Sequence, residues 1–278
     1  MEVFNPFQLP FVQRGLMEVL ILSVGAGLLG TWIMLRGLAF YSHAVGVAAF
    51  PGLVLASGLG FAPPIGAFGM AVLFAGGLER LARSRRSDYD VLTALILVGA
   101  LVAGVILASD VFHSGSTIDT LLFGSLLVIG PSDIVLATVS SGLALVATYF
   151  LGRVWLTTGF DPGMSRSLGV RSAMPDALLL GLVALVATAA LSTVGALLTT
   201  TLLIVPAASV RLLTRRLLAW QLGSVVLTAI EGAFGLWLSV ETNAPPGATI
   251  ALLAGCVFLL LAAARRLRRL VGLRNLNT

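Results

Sequence analysis

His43, Glu231 and a polar island at 160–169 hold most of the chemistry this chain can offer, and each is embedded in long apolar sequence. Imidazole is a good ligand for zinc and other first-row metals, and His43 stands in the run Tyr41-Ser42-His43-Ala44-Val45-Gly46-Val47-Ala48-Ala49-Phe50-Pro51-Gly52. A single histidine cannot close a metal site, so it reads either as a passing ligand or as a packed, hydrogen-bonded ring. Glu231 sits in the middle of Leu227-Thr228-Ala229-Ile230-Glu231-Gly232-Ala233-Phe234 and is the acidic residue read as lying deep in an apolar run. A carboxyl at membrane depth should face a bundle interior or water, or hold a proton. It could attract a divalent cation, pair with an arginine or clamp two helices. Pro206 interrupts Leu202-Leu203-Ile204-Val205-Pro206-Ala207-Ala208-Ser209, after Thr199-Thr200-Thr201. A proline inside a helix frees one carbonyl and kinks it, which serves either packing or gating. His113, flanked by Asp110, Ser114 and Asp119, has the residue types of a metal entry point but no tight ligand spacing, and reads as a solvated loop.

Several chemistries are excluded. With two histidines a three-histidine zinc centre cannot form within the chain. The single cysteine, Cys256, leaves no disulfide framework and no cysteine metal site. There is no Gly-x-x-x-x-Gly-Lys-Ser/Thr phosphate loop and no lysine to serve one. No Ser/His/Asp or His-Glu-x-x-His arrangement occurs. Enzyme chemistry is therefore not expected on this chain, and no covalently bound cofactor is implied.

The elements that must position these groups are membrane spans. The chain has 278 residues, of which 58% are hydrophobic and 10% charged, with a mean hydropathy of +1.04. A soluble domain carries about 25% charged residues. A span needs about 20 mostly apolar residues, and the candidate runs are 13–35, 40–60, 63–83, 90–109, 131–152, 174–192, 195–213, 218–240 and 247–264. The expected fold is an all-α polytopic membrane protein of about nine transmembrane helices, eight being the alternative count, in a single domain over 1–278. The N-terminus lacks a basic start and a small-residue cleavage site, so the first run is expected to remain as a span. The stretch 110–130 reads as an outer loop with a short apolar helix from Leu121 to Ile129.

The net charge of +5 comes from 17 arginines. A basic balance can mean nucleic acid, but here orientation accounts for it and no nucleic-acid partner is expected. Arg36, the cluster Arg80, Arg83, Arg85 and Arg86, then Arg153, Arg166 and Arg171, then Arg211, Arg215 and Arg216, and finally Arg265, Arg266, Arg268 and Arg269 follow the odd-numbered runs. The linkers after even-numbered runs carry none. The positive-inside rule then puts the N-terminus outside and the C-terminus in the cytoplasm. Arg14 is the exception, near the outer start of the first run.

The polar island reads as a short cytoplasmic helix. Asp161 is a good N-cap, Pro162 fits the first helical position and Gly169 suits a left-handed stop. A helix of about two turns is too short to be stable alone in water, so it should lie on something. Small residues in the spans, such as Ala26 and Gly30, predict close helix packing.

Phe160-Asp161-Pro162 followed by Ser165-Arg166-Ser167-Leu168-Gly169 resembles the coupling segment, F-D-P-…-A-R-x-L-G, of ABC-transporter permeases of the zinc/manganese/iron uptake family. Leu202 to Ala208 is similar to that family's L-L-V-I-P-A-A. Leu122-Phe123-Gly124-Ser125-Leu126 with Pro131-Ser132-Asp133 is similar to its L-F-G-N-I-L…S-P-x-D. Gly235-Leu236-Trp237-Leu238-Ser239 with Pro245-Pro246-Gly247-Ala248-Thr249-Ile250 is similar to its G-L-Y-L-S…P-S-G-A-T-I. The family also carries A-F-L-G-D-A-x-S-H-A-V-L-P-G, whose Asp and His are thought to face the metal's path. Anchored on Ala39-Phe40 and Pro51-Gly52 without gaps, His43 falls at the family's Asp and Val47 at its His. A second alignment matches Ser42-His43-Ala44-Val45 to S-H-A-V, at the expense of an extra helical turn before Pro51.

The resemblance implies a multi-pass permease in the bacterial cytoplasmic (inner) membrane, surrounded by membrane lipid and working as a homodimer with a second copy of itself. It implies import of a divalent metal ion (zinc, manganese or iron), delivered by an extracytoplasmic metal-binding protein. ATP would be hydrolysed on a separate cytoplasmic ABC ATPase subunit. Asp161, Pro162, Ser165, Arg166, Leu168 and Gly169 would couple to that ATPase, with Arg166 pairing acidic or carbonyl groups and Leu168 filling an apolar slot. His43, Val47, Pro51, Pro206 and Glu231 would line the path, with His43 as the metal contact. The alternatives are an ion-gradient-driven secondary transporter, which usually carries several intramembrane carboxylates, an ABC permease for an organic metal chelate or vitamin, and a membrane scaffold that transports nothing.

Overall fold

A computed structural model describes residues 9–84, 89–112, 122–125, 129–160, 173–195 and 199–274. Among these the chain is helical, with no strand. The helices are α1 (Pro10–Arg36), α2 (Ala39–Leu59), α3 (Pro63–Ser84), α4 (Tyr89–Ile106, continued by a π turn at Leu107–Val111), α5 (Pro131–Phe160), α6 (Ala173–Ala189), α7 (Leu191–Val194), α8 (Thr199–Leu213), α9 (Leu217–Thr242) and α10 (Pro246–Arg274). Six stretches are long and apolar enough to cross a membrane: Pro10–Arg36, Ala39–Leu59, Thr93–Val111, Pro131–Gly159, Leu217–Thr242 and Pro246–Arg268. Pro63–Gly77, Met174–Ala189 and Thr199–Leu213 are shorter apolar helices. Each apolar run of the sequence thus contains one of these helices, and the protein is an all-helical, polytopic membrane protein.

α1 and α2 form the buried centre. α1 packs on α5, α8 and α9, while α2 packs on α3, α4, α6 and α8. Helices in lipid gain little from apolar burial alone, so they depend on close backbone approach. A Cβ on Gly52 would lie 2.2 Å from the Gly66 carbonyl oxygen, and one on Gly66 would lie 2.3 Å from that of Gly52. Only glycine fits on either side of this α2–α3 crossing. Gly30 serves α1 in the same way: a Cβ there would sit 2.0 Å from the Leu203 carbonyl oxygen of α8 and 3.1 Å from the Ala207 Cβ. The spacing of Ala26 and Gly30 therefore does mark a helix contact. Outward faces are apolar, as on α9, where Leu218, Leu222, Val226, Ile230 and Phe234 recur every fourth residue and are exposed.

Two sequence expectations need correction. The run Leu121 to Ile129 is not one helix, because Gly124 has φ +78° and the backbone at 124–125 is non-helical. The stretch instead turns into the protein. Gly124 meets the Thr193 carbonyl oxygen, Gly195 meets that of Leu122, and Gly247 meets those of Val194 and Phe123, all at distances a Cβ would close below 3 Å. This backbone knot also explains the second correction. The runs 174–192 and 195–213 are not continuous helices to those limits: α6 stops at Ala189, the single turn α7 follows, and Gly195 at φ +82° breaks the chain before α8. α5 begins at a reciprocal cap. The Gly130 N–H donates to Asp133 Oδ2 at 2.8 Å, while the Gly130 carbonyl accepts from Asp133 N.

One end of the bundle is tied by Arg36. Its guanidinium pairs with Asp176 Oδ1 at 2.5 Å and donates to the Trp155 carbonyl at 3.2 Å and to Thr158 Oγ1. Trp155 Nε1 donates to the Pro175 carbonyl at 2.8 Å, and Trp155 meets Trp32 edge to face at 5.5 Å. The last turns of α1 and α5 and the first turn of α6 are thereby joined.

Candidate functional site

α2 is a continuous helix through Pro51, long and apolar enough to cross a membrane. Pro51 supplies no N–H, so the Val47 carbonyl lacks its usual helical donor. The proline faces α4, where a Cβ on Gly104 would come within 3.2 Å of Pro51 N and 2.3 Å of Phe50 Cδ1. Two turns earlier, His43 points toward α8. Its Nδ1 is 2.9 Å from Thr200 Oγ1, and the ring is half-buried. Val47, one turn on, is buried.

α8 is the counterpart of α2. It starts at Thr199, whose hydroxyl donates to the Gly195 carbonyl at 2.6 Å, and stays helical through the buried Pro206. Beyond the proline it is held from α9: Trp220 Nε1 donates to the Ala207 carbonyl at 2.7 Å, and the Arg211 guanidinium lies 4.8 Å above the Trp220 ring. His43 and Thr200 thus join α2 to α8, while Val47 and Pro206 are buried residues of those same two helices.

Glu231 lies elsewhere. It occupies the face of α9 that meets α1, with Thr228, Gly232 and Gly235 also buried and Gly232 against Val19. Its side chain is 2% exposed, and neither carboxylate oxygen has a hydrogen-bond partner among the described residues. α9 packs on α1, α8 and α10, and both α1 and α8 touch α2 as well as the Glu231 helix.

Glu18 is a residue that sequence reasoning missed. It is fully buried in α1, which removes Glu231's standing as the one acidic residue deep in a span. Its signal is in the sequence, since Glu18 lies within the 13–35 run. Asp110 is exposed in the π turn. His113 and the coupling residues Asp161, Pro162, Ser165, Arg166, Leu168 and Gly169 lie outside the described residues. Among the described residues no three of His, Cys, Asp or Glu converge on one point. What the α2–α8 seam offers a metal ion is one imidazole backed by a hydroxyl, a weak and reversible hold.

The profile of the ABC 3 transport family matches residues 8–265, and the chain belongs to that family. It is a multi-pass protein of the cytoplasmic membrane, as its apolar helices require. It is similar to the manganese transport system membrane protein MntC of Halalkalibacterium halodurans, at 30% identity over 90% of this chain and 86% of the relative. The manganese import system permease protein ScaB of Streptococcus parasanguinis is 30% identical over 91% of this chain and 90% of the relative. A probable iron transport system membrane protein of Haemophilus influenzae is 26% identical over 96% of this chain and 98% of the relative. The solved structure of PsaBC from Streptococcus pneumoniae in complex with Fab superposes with a TM-score of 0.85 at 26% identity, covering 94% of each chain. The resemblance drawn from the motifs is therefore that of a true family member.

Proposed function

We propose that this chain is the membrane permease of an ATP-driven importer for a divalent transition metal ion, with manganese favoured over zinc and iron. The observation that carries the reading is the family match over residues 8–265. The metal preference rests on relatives named for manganese at 30% identity. The burial of both Glu18 and Glu231 means that the number of intramembrane carboxylates no longer argues against a gradient-driven transporter; membership of an ABC family does.

In this reading the whole chain, 1–278, is one permease domain of nine spans with the N-terminus outside and the C-terminus in the cytoplasm. Arg36 and the arginines near the ends of α8 and α10 support that orientation. Two copies form the pore, an extracytoplasmic binding protein delivers the ion, and ATP is hydrolysed on a partner subunit. The segment 161–169 docks on that partner, with Arg166 as its polar contact and Leu168 as its apolar one. ATP-driven closure of the partner moves the segment and rocks the two permeases between outward- and inward-open states. His43 and Val47 on α2 and Pro206 on α8 line the path, Pro51 bears on it from the α4 side of α2, and Glu231 bears on it from α9. His43 contacts the passing ion, and a lone imidazole suits a site that must also let the ion leave.

The test is uptake of Mn²⁺ and Zn²⁺ into vesicles holding this permease, its candidate ATPase and the binding protein. The expected result is ATP-dependent uptake that falls sharply in His43→Ala, with charge reversal at Arg166 leaving ATP hydrolysis uncoupled from transport. Fully assembled complexes that take up neither metal would overturn the reading.

A further inference from the structure

We infer that Thr200 is the positioning residue for His43: its hydroxyl engages Nδ1, fixes the ring tautomer and leaves Nε2 as the nitrogen offered to the passing metal ion. The inference rests on the reading of His43 as an ion contact and adds which atom makes that contact and what holds it there.

The two residues are remote in sequence and meet across helices. His43 lies early in α2 and Thr200 in the first turn of α8, with Nδ1 and Oγ1 2.9 Å apart. This is the hydrogen bond His43 makes among the described residues. The ring is half-buried, and its Nε2 edge makes no hydrogen bond among the described residues. A metal ion needs a lone pair on the nitrogen it meets. Imidazole has one such nitrogen per neutral tautomer, and the hydrogen bond on the other nitrogen decides which it is. For Nε2 to carry the lone pair, Nδ1 must carry the proton and donate it, and Thr200 Oγ1 is the acceptor in place. A threonine hydroxyl is able to accept the Nδ1 proton, and the position of that proton is what the labelling experiment below reads. Metal-binding histidines are commonly oriented in this way, and losing the outer partner weakens metal affinity about 10- to 100-fold. Because the acceptor rides on α8, the offered lone pair depends on the spacing of α2 and α8. A movement that separates them would free the ring and loosen its hold on the ion.

The chain has two histidines, His43 and His113, so ring-¹⁵N-histidine labelling of the intact transporter resolves them, with His113→Gln assigning the signals. The expected spectrum shows His43 with its proton on Nδ1, retained in Thr200→Ser and lost or mixed in Thr200→Val. In ATP-driven Mn²⁺ uptake at saturating binding protein, Thr200→Val is expected to be slower by about tenfold. Thr200→Ser should stay close to wild type, and Thr200→Val should add no further loss to His43→Ala. An Nε2–H tautomer in the wild type overturns the inference, as does a spectrum unchanged by Thr200→Val. If His43→Ala is impaired and Thr200→Val is not, the inference alone fails. If His43→Ala takes up Mn²⁺ normally, the role of His43 on the path fails and takes the inference with it.

Discussion

Arg36 joins three helix ends with one planar group, and graded substitutions should separate what its charge does from what its shape does. The guanidinium reaches Asp176 Oδ1 with one nitrogen and both Thr158 Oγ1 and the Trp155 carbonyl with another. Arg36 is 12% exposed and Asp176 35% exposed. The ion pair is therefore partly screened and contributes about 1 kcal/mol. The bonds to Trp155 and Thr158 come from a charged donor in a drier setting and contribute about 1.5 kcal/mol together after their geometry is discounted. Arg36→Gln should then destabilise by roughly 2–3 kcal/mol. Arg36→Lys keeps a charge for Asp176 but has no fork to span the remaining acceptors, and should lose about 1.5 kcal/mol. Asp176→Asn keeps an acceptor oxygen and should lose about 1 kcal/mol or less. Thermal unfolding in detergent, read by tryptophan fluorescence, resolves these steps, since 1 kcal/mol moves the midpoint of a chain this size by about 2–4 °C. Trp155 lies within the cluster and supplies a local signal. If Arg36→Lys melts with the wild type, or Asp176→Asn falls further than Arg36→Gln, the fork is not what holds these ends. The same cluster ties the residues on either side of the proposed docking segment, Thr158 before it and Asp176 after it. Arg36→Lys is therefore also expected to lower the metal taken up per ATP hydrolysed.

Gly52→Ala would place a Cβ 2.2 Å from the Gly66 carbonyl oxygen and 2.5 Å from the Met70 Cβ. Backbone cannot step aside as a side chain can, so α2 and α3 must part and stability should fall by about 1–3 kcal/mol. Gly69→Ala, with nothing within 4 Å, is the control, and equal melting of the two variants would refute the crossing. Glu231→Gln carries no charge into the α1–α9 seam, so it should fold at least as well as wild type while slowing metal uptake several-fold; normal uptake would return Glu231 to a packing role.

The arrangement of helices was legible because it rests on local properties. Apolar length can be read from a short window, and each apolar run contains one of the helices. The errors came where the chain's partner was distant. Leu121 to Ile129 has the composition of a helix, but Gly124 takes a left-handed backbone because Thr193 lies against it, and no window contains both residues. The break at Gly195 has the same origin. Arg36 could be counted as a topological charge, yet nothing in its neighbourhood announces Asp176, 140 residues away.

The candidate site follows the same division. His43 was legible as a histidine in an apolar run, but its hydrogen bond depends on Thr200, which the sequence offers as one of three consecutive threonines with no mark to separate them. The fold supplies that mark by turning the second of the three toward α2. It also separates residues that the sequence grouped by type alone. His43 and Glu231 are both polar groups in apolar helices, but one meets a hydroxyl between α2 and α8 and the other is buried on the α9 face toward α1 with no hydrogen-bond partner among the described residues. On the proposed function, an ion crossing the first seam would meet a ligand released by moving α8. A carboxyl in the second would bear on that event through the helices between, and α1 and α8 both touch α2 and α9. Pro206 and the Trp220 tether both lie on α8, the helix that carries Thr200, so a change at either is expected to act on the His43 contact as well.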